Sequence, residues 1–295
     1  MSLGKTLKLV LLITGLAALL LWVFGQIALR GLEQDQPQMF SEPVFDTVAP
    51  ELPAALINSD SPAILVFSKT NGFRHREAIA AAREMFEQMA QVNGWQVFYT
   101  ENGAVMTPQN LKRFSVVVWS NATGPALNDQ QQAVFQDYLS SGGGFVGIHA
   151  AGDASHASWD WYESEVIRAQ FTGHPMLPQF QLGTLTKEGE HPAMAHFPQQ
   201  WQYEDEWYCF AASPRDKVNV LATLDESDIN MLALSGRDSL IVGDLAMGDD
   251  HPIIWHHTIG SGRVFYSALG HKAEAYQDDN IQTMLEAAVV WAGNL

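Results

Sequence analysis

The chain reads as an α/β protein: a doubly wound, mainly parallel sheet with a β-rich extension, preceded by one N-terminal transmembrane helix. Three observations predict this. Leu9 to Leu29 is an uncharged apolar run. From Ala63 to His149, short apolar strands alternate with amphipathic helices, the pattern of a parallel sheet covered on both faces. Beyond Phe180, strand-like segments follow one another with little helical periodicity between them.

The apolar run holds only Thr14 and Gln26 as clearly polar side chains. At about 1.5 Å per residue it spans roughly 30 Å, the thickness of a bilayer's hydrocarbon. Lys5 and Lys8 precede it, and Arg30 follows with Glu33 and Asp35 close behind, a bias that favours an inside amino terminus. The run is long for the apolar core of a signal peptide, and no convincing Ala-x-Ala site follows it. Residues 1–30 therefore read as an uncleaved single-pass anchor, with the rest facing the periplasm or the cell exterior. Cleavage as a signal peptide is the competing reading. Residues 31–61 are rich in Pro, Gln, Asp and Glu, with Pro37, Pro43, Pro50 and Pro53 breaking any regular pattern, and read as a linker. Residues 62–295 form the domain.

Within the domain, Ala63 to Phe67 is a β-rich run, and Arg76 to Val92 has helical spacing that stops at Asn93-Gly94. Trp95 to Tyr99 and Ser115 to Trp119 read as strands, Asp129 to Leu139 as a second amphipathic helix, and Phe145 to Ile148 as the strand delivering His149. In the second half Phe180 to Leu185, Val218 to Leu224, Leu240 to Leu245, Ile253 to Thr258 and Arg263 to Ala268 look like strands. Asn280 to Trp291 closes the chain as a helix.

Charge narrows the partners. All 33 acidic residues lie beyond Gly31 against thirteen of the Lys and Arg, a net of −20 for that part. Such a field repels phosphate backbones, so nucleic acid is not an expected partner. The membrane is, through the N-terminal helix, and a homo-oligomer is left open. Cys209 is the only cysteine, which excludes an internal disulfide and any cysteine-built zinc site.

Polar chemistry collects at predicted strand ends, where open α/β sheets bind ligands. His149 stands at a strand-to-turn position where some enzymes carry a Ser or Cys nucleophile. An imidazole there binds a metal or moves a proton, and argues against acyl-enzyme chemistry. His75, His257 and His271 also fall at or near strand termini, and Glu206 offers a carboxylate in Asp-Glu-Trp-Tyr. We expect His75, His149, Glu206 and His271 to be catalytic, and His149 and His257 to be metal ligands should a divalent ion such as zinc be bound. No short-spaced ligand motif is present, so an acid/base array without metal stays open. Arg74, Asp153, Trp159, Tyr208, Asp250 and His251 are candidate substrate contacts. Asp153 reads equally as a cap, and the Trp159, Trp161, Tyr162 cluster equally as core. His156, His174, His191 and His196 read as structural. Gly142-Gly143-Gly144 precedes a strand instead of opening a helix, so no nucleotide cofactor is expected.

Taken together, the segments resemble the ThuA-like family, named for trehalose utilisation, within the class I glutamine amidotransferase-like superfamily. The resemblance is carried by Lys-Thr-Asn-Gly-Phe-Arg-His75, Gly-Gly-Gly-Phe-Val-Gly-Ile-His-Ala-Ala151, Asp-Glu-Trp-Tyr208, Asp-Asp-His-Pro252, Trp-His-His257, Gly-Arg-Val-Phe-Tyr266 and Leu-Gly-His271. It runs from about Pro62 to the end, excluding the anchor and linker. The stretch Asp228 to Ala246 looks longer than the family's usual link. The resemblance implies a flavodoxin-like sheet and an enzyme of sugar or glycoside catabolism (trehalose-type, or on oxidised keto-glycosides) of isomerase, lyase or hydrolase type. It implies also that the amidotransferase cysteine is absent, with His149 near its place, and that amidotransferase activity is lacking. The alternative is a non-catalytic, membrane-tethered sugar-binding module.

Overall fold

The computed structural model describes residues 3–233 and 243–295. The chain falls into two compact units, one up to Glu42 and one from Pro43 to Leu295. In the first unit, helix α1 (Leu3–Asp35) runs five residues past the expected anchor and is followed by a 3-10 turn, Pro37–Phe40. Its Leu11–Asp35 portion is long and apolar enough to cross a membrane, a property that signal sequences share.

The second unit carries thirteen strands and five α-helices among the described residues. In chain order they are α2 (Ala54–Ile57), β1 (Ala63–Phe67), α3 (Arg76–Asn93), β2 (Gln96–Thr100), α4 (Pro108–Leu111), β3 (Val116–Ser120), α5 (Asp129–Ser140) and β4 (Gly144–Ile148). There follow β5 (Phe171–Gly173), β6 (Phe180–Lys187), β7 (Gln200–Glu206), β8 (Cys209–Phe210), β9 (Asn219–Asp225), β10 (Leu232–Ala233), β11 (Gly243–Asp244), β12 (Pro252–Ile259), β13 (Gly262–Ser267) and α6 (Asp279–Gly293). Of the expected strand Leu240–Leu245, residues 240–242 lie outside the described residues, and Gly243–Asp244 pairs with β10.

Nine strands form one sheet in the order β2-β1-β3-β4-β13-β12-β9-β6-β7. β2, β1, β3, β4 and β13 are mutually parallel, and the β-rich extension adds β12, β9, β6 and β7 antiparallel to one another. β1, β3 and β4 are buried along their whole length, which is why each is an unbroken apolar run without inside-outside alternation. α3 ends where the sequence places its stop, with Gly94 at φ 71° as the left-handed cap. α5 starts on a capping box of Asn128 and Gln131.

The linker is shorter than its composition implies. From Pro43 the chain packs onto the domain. Val44 and the Asn71 side chain exchange hydrogen bonds of 3.3 and 3.2 Å. Asp46 ion-pairs with the buried Lys69 and accepts from Gly103 N at 2.8 Å, and Leu56 is buried. Proline breaks helices and strands but does not prevent docking, so this stretch is irregular and ordered.

Candidate active site

Four side chains meet at the carboxyl edge of the parallel strands. The loop after β1 brings His75 to the first turn of α3, β4 ends on His149, the loop after β13 carries His271, and β7 ends on Glu206. His149 sits in the left-handed region at φ 48°. For a residue with a Cβ this costs on the order of 1–3 kcal/mol and persists only when its surroundings enforce it. Here they do. Tyr266 Oη donates to His149 O at 2.9 Å and Tyr162 Oη to Ala151 O at 2.7 Å. At Gly152 a Cβ would stand 2.3 Å from Tyr266 Oη, so the turn accepts only glycine there.

The His149 ring is fully buried, and its tautomer is set by its surroundings. Nδ1 lies 2.7 Å from Ala268 O, an acceptor only, so Nδ1 carries the proton and donates. Nε2 then presents its lone pair to the other members. It stands 3.2 Å from His271 Nδ1 and 3.3 Å from Glu206 Oε2, and those two stand 3.1 Å apart. Three donor atoms thus form a near-equilateral triangle. With His75, all four candidate ligand atoms lie within 4.8 Å of one another. Zinc bonds to N and O of about 2.0–2.1 Å correspond to a tetrahedral edge of about 3.3–3.4 Å. The donors present fit a divalent ion, and the Nδ1–H to carbonyl bond is the outer support that metal-bound histidines usually have.

Burial and mutual charge set the protonation states. Burial, reinforced by the neighbouring imidazoles, holds His75 well below its ordinary pKa, so this ring is neutral. Its Nδ1 is buried and has no hydrogen-bond partner. Burial would raise Glu206, yet the hydrogen bonds and charges of His149, His271 and His174 hold it well below the carboxylate range. Burial depresses His149, but the hydrogen bond and charge of Glu206 outweigh it and raise the group. A proton or a cation inside the triangle is therefore strongly favoured.

A second layer fixes the first. Asp205 is 1 % exposed, and its carboxylate accepts from Glu206 N at 2.9 Å, Gly270 N at 2.8 Å and His271 N at 3.3 Å. Burial raises its pKa. On the outer oxygen of Glu206, Gln179 Nε2 donates at 2.5 Å and His174 Nδ1 lies at 3.2 Å. His174, expected to be structural, borders the site, and so do Asp205 and Gln179, neither of which is among the expected site residues. Asp205 stood in a segment already singled out, and His174 directly follows the short strand β5; Gln179 had no local signal.

The remaining candidates are distributed differently. Tyr208 packs its ring 4.2 Å from that of His149, inside the site. Asp153 caps the turn at Ser155, accepting its N–H at 2.8 Å. Trp159 is a core residue, 7 % exposed and stacked on Trp161 and Tyr162. His251 is pinned below Tyr208, Nε2 on Tyr208 O at 2.8 Å and Nδ1 on Glu226 at 2.7 Å. Asp250 pairs with Arg215 and Arg74 with Glu101, each at 2.6 Å. His257 is not brought to the cluster. It bonds Val166 O at 2.8 Å, because β12 runs antiparallel to β13 and its carboxyl end lies at the opposite edge of the sheet from His149. Cys209 is buried in β8 and is not part of the turn that carries His149.

The ThuA model, described as trehalose utilisation, matches residues 63–292, nearly the whole domain. The chain belongs to the ThuA family. Among solved structures, a ThuA-like protein of Bacteroides uniformis ATCC 8492 superposes with a TM-score of 0.66 at 22% identity, covering 79% of this chain and 93% of that one. A ThuA-like protein of Parabacteroides merdae ATCC 43184 gives 0.57 at 18% identity, covering 80% and 90%. At these identities the likeness establishes the ThuA fold. No curated protein matches the chain in sequence.

Proposed function

We propose that this ThuA-family chain is a membrane-anchored enzyme acting on a carbohydrate with the help of one divalent metal ion. The observation that carries the reading is the triangle of His149 Nε2, His271 Nδ1 and Glu206 Oε2, with edges of 3.1–3.3 Å. The carbohydrate follows from the family's description, trehalose utilisation. His149, His271 and Glu206 would hold the ion, leaving a coordination position open, as catalytic sites require. A bound ion supplies a Lewis acid that polarises a sugar carbonyl or activates water.

His75 is the proton acceptor of this reading. It is neutral, its Nδ1 is unpartnered, and its ring centroid lies 4.6 Å from that of His271 and 5.0 Å from that of His149. Phe73 and Phe180 wall the cluster, with centroids 4.9 Å from His75 and 5.0 Å from His271 respectively. Half-buried aromatic faces beside a polar centre suit the apolar face of a pyranose. His174, at the outer oxygen of Glu206, keeps that carboxylate charged and oriented.

The test is elemental analysis of protein purified without a histidine tag, followed by assay of trehalose and its keto derivatives. We expect about one divalent ion per chain, lost in His149→Ala and in Glu206→Gln, and turnover that His75→Gln abolishes with the metal retained. Substoichiometric metal that His149→Ala leaves unchanged overturns the metal site. Saturable sugar binding without turnover by the metal-loaded protein leaves a binding module.

A further inference from the structure

A cavity of about 540 Å³ lies among residues adjacent in sequence to His75. Its wall includes Ser120, Arg74, Arg76, Arg83, Thr100 and Glu101. It lies one strand from the reacting centre: Ser120 ends β3 opposite Ile148 of β4, the residue before His149, and Arg74 and Arg76 flank His75. Three of the sixteen Lys and Arg of this acidic chain line it, Arg74 and Arg76 at the start of the 18-residue helix α3 and Arg83 two turns further on.

Two features point to an occupant. Ser120, one of the lining residues, is 1 % exposed, and its Oγ is buried at the cavity wall without a hydrogen-bond partner. A buried hydroxyl left unsatisfied is costly, and a ligand oxygen would satisfy it. Two of the arginines are positioned by partners at the surface. Arg74 is paired to Glu101 through two bonds of 2.9 and 2.6 Å, and Arg83 stacks over the Tyr99 ring at 4.8 Å. Glu101 is half exposed, so water screens its fork with Arg74, and an entering anion competes with that carboxylate for the same guanidinium. Planar guanidinium groups bind carboxylate and phosphate oxygens in pairs.

We propose that this cavity receives an anionic group of the substrate, a phosphate or a carboxylate, so that the enzyme prefers an acidic form of its sugar to the neutral one. Assigning the anion to the substrate rests on the proposed function; the affinity of the cavity for an anion does not. The field of a chain with net charge −17 repels anions in general, so a local cluster of guanidiniums would also select where an acidic sugar lands.

The experiment is calorimetric titration of the full chain in neutral detergent at low salt with inorganic phosphate, glucose 6-phosphate, glucuronate and glucose. It is run on the wild type and on His149→Ala, where a phosphate ion can no longer bind through the metal. Saturable binding of phosphate or glucuronate that survives in His149→Ala, with glucose at least tenfold weaker, is expected. Ser120→Ala and Arg83→Gln should each weaken it at least fivefold while leaving metal content intact. The tighter of glucuronate and glucose 6-phosphate identifies the group. Absence of saturable anion binding, or binding indifferent to both substitutions, overturns the proposal. A wild type that carries no metal yet still binds the anion overturns only the metal site.

Discussion

Asp205→Asn tests whether the second layer builds the site. The carboxylate satisfies three backbone N–H groups, two on Oδ1 and one on Oδ2. Asparagine keeps the shape but turns one oxygen into a donor. Its best orientation keeps the carbonyl on Glu206 N and His271 N and sets an amide N–H against Gly270 N–H. The loss is one charge-assisted hydrogen bond, about 1.5–3 kcal/mol, partly overlapping with about 1–3 kcal/mol for the buried donor left unpaired. We expect about 2–4 kcal/mol of destabilisation, a large share of the 5–15 kcal/mol typical of a domain. Gly270 and His271 lose their anchor together, so zinc affinity should fall about 10–100-fold, as when outer supports of metal ligands are removed. Urea unfolding followed by tryptophan fluorescence gives the first number and competition with a zinc chelator dye the second. A change below about 0.5 kcal/mol together with unaltered zinc affinity refutes Asp205 as the organiser.

Three further outcomes follow. Burial pushes His257 and His191 down to about 4 from an ordinary 6.5. The unfolded chain therefore takes up protons first as pH falls, and the stability from these rings, complete above about 6.5, is lost between 6.5 and 4. His257→Gln should flatten that slope in denaturation curves collected at pH 7 and 4.5, and an identical slope contradicts the assignment. Gly152→Ala drives a methyl into Tyr266 Oη, which is itself tied to His149 O, and should cost about 1–3 kcal/mol and reduce metal content; unchanged melting and metal would show that the elbow is slack. A carboxyl-terminal reporter active only outside the cytoplasm should be active if α1 anchors the chain with its amino terminus inside, and silence reverses the orientation.

The parallel half of the sheet was legible because its strands are buried on both faces and carry unbroken apolar runs. Ala63–Phe67 is placed to the residue, and His75, His149, His271 and Glu206 converge as expected. What sequence could not supply was strand direction. His257 and His149 both close apolar strands, but β12 is antiparallel to its neighbour, and one reversal carries His257 to the far edge. Nor does a sequence show which polar side chain is already satisfied: Asp250 and Arg74 have ion partners 35 and 27 residues away. The support from Asp205 was hidden for the opposite reason, since its partners are backbone groups, which leave no trace in residue identity.

The docking of Asp46 onto Lys69 redraws where this domain begins. Family resemblance starts at Ala63, and a soluble fragment cut there would keep every strand and every site residue. It would also leave the Lys69 ammonium, 6 % exposed, without its carboxylate in the loop that leads to His75. Stripping one partner from a fully buried pair costs about 3–5 kcal/mol, and the loss here is smaller because Asp46 is itself partly exposed. It would further remove Val44 from Asn71 and open the backbone of Gly103. The smallest fragment that preserves the loop leading to His75 therefore starts at Pro43, twenty residues ahead of the first strand, in a stretch whose proline-rich composition invites its removal.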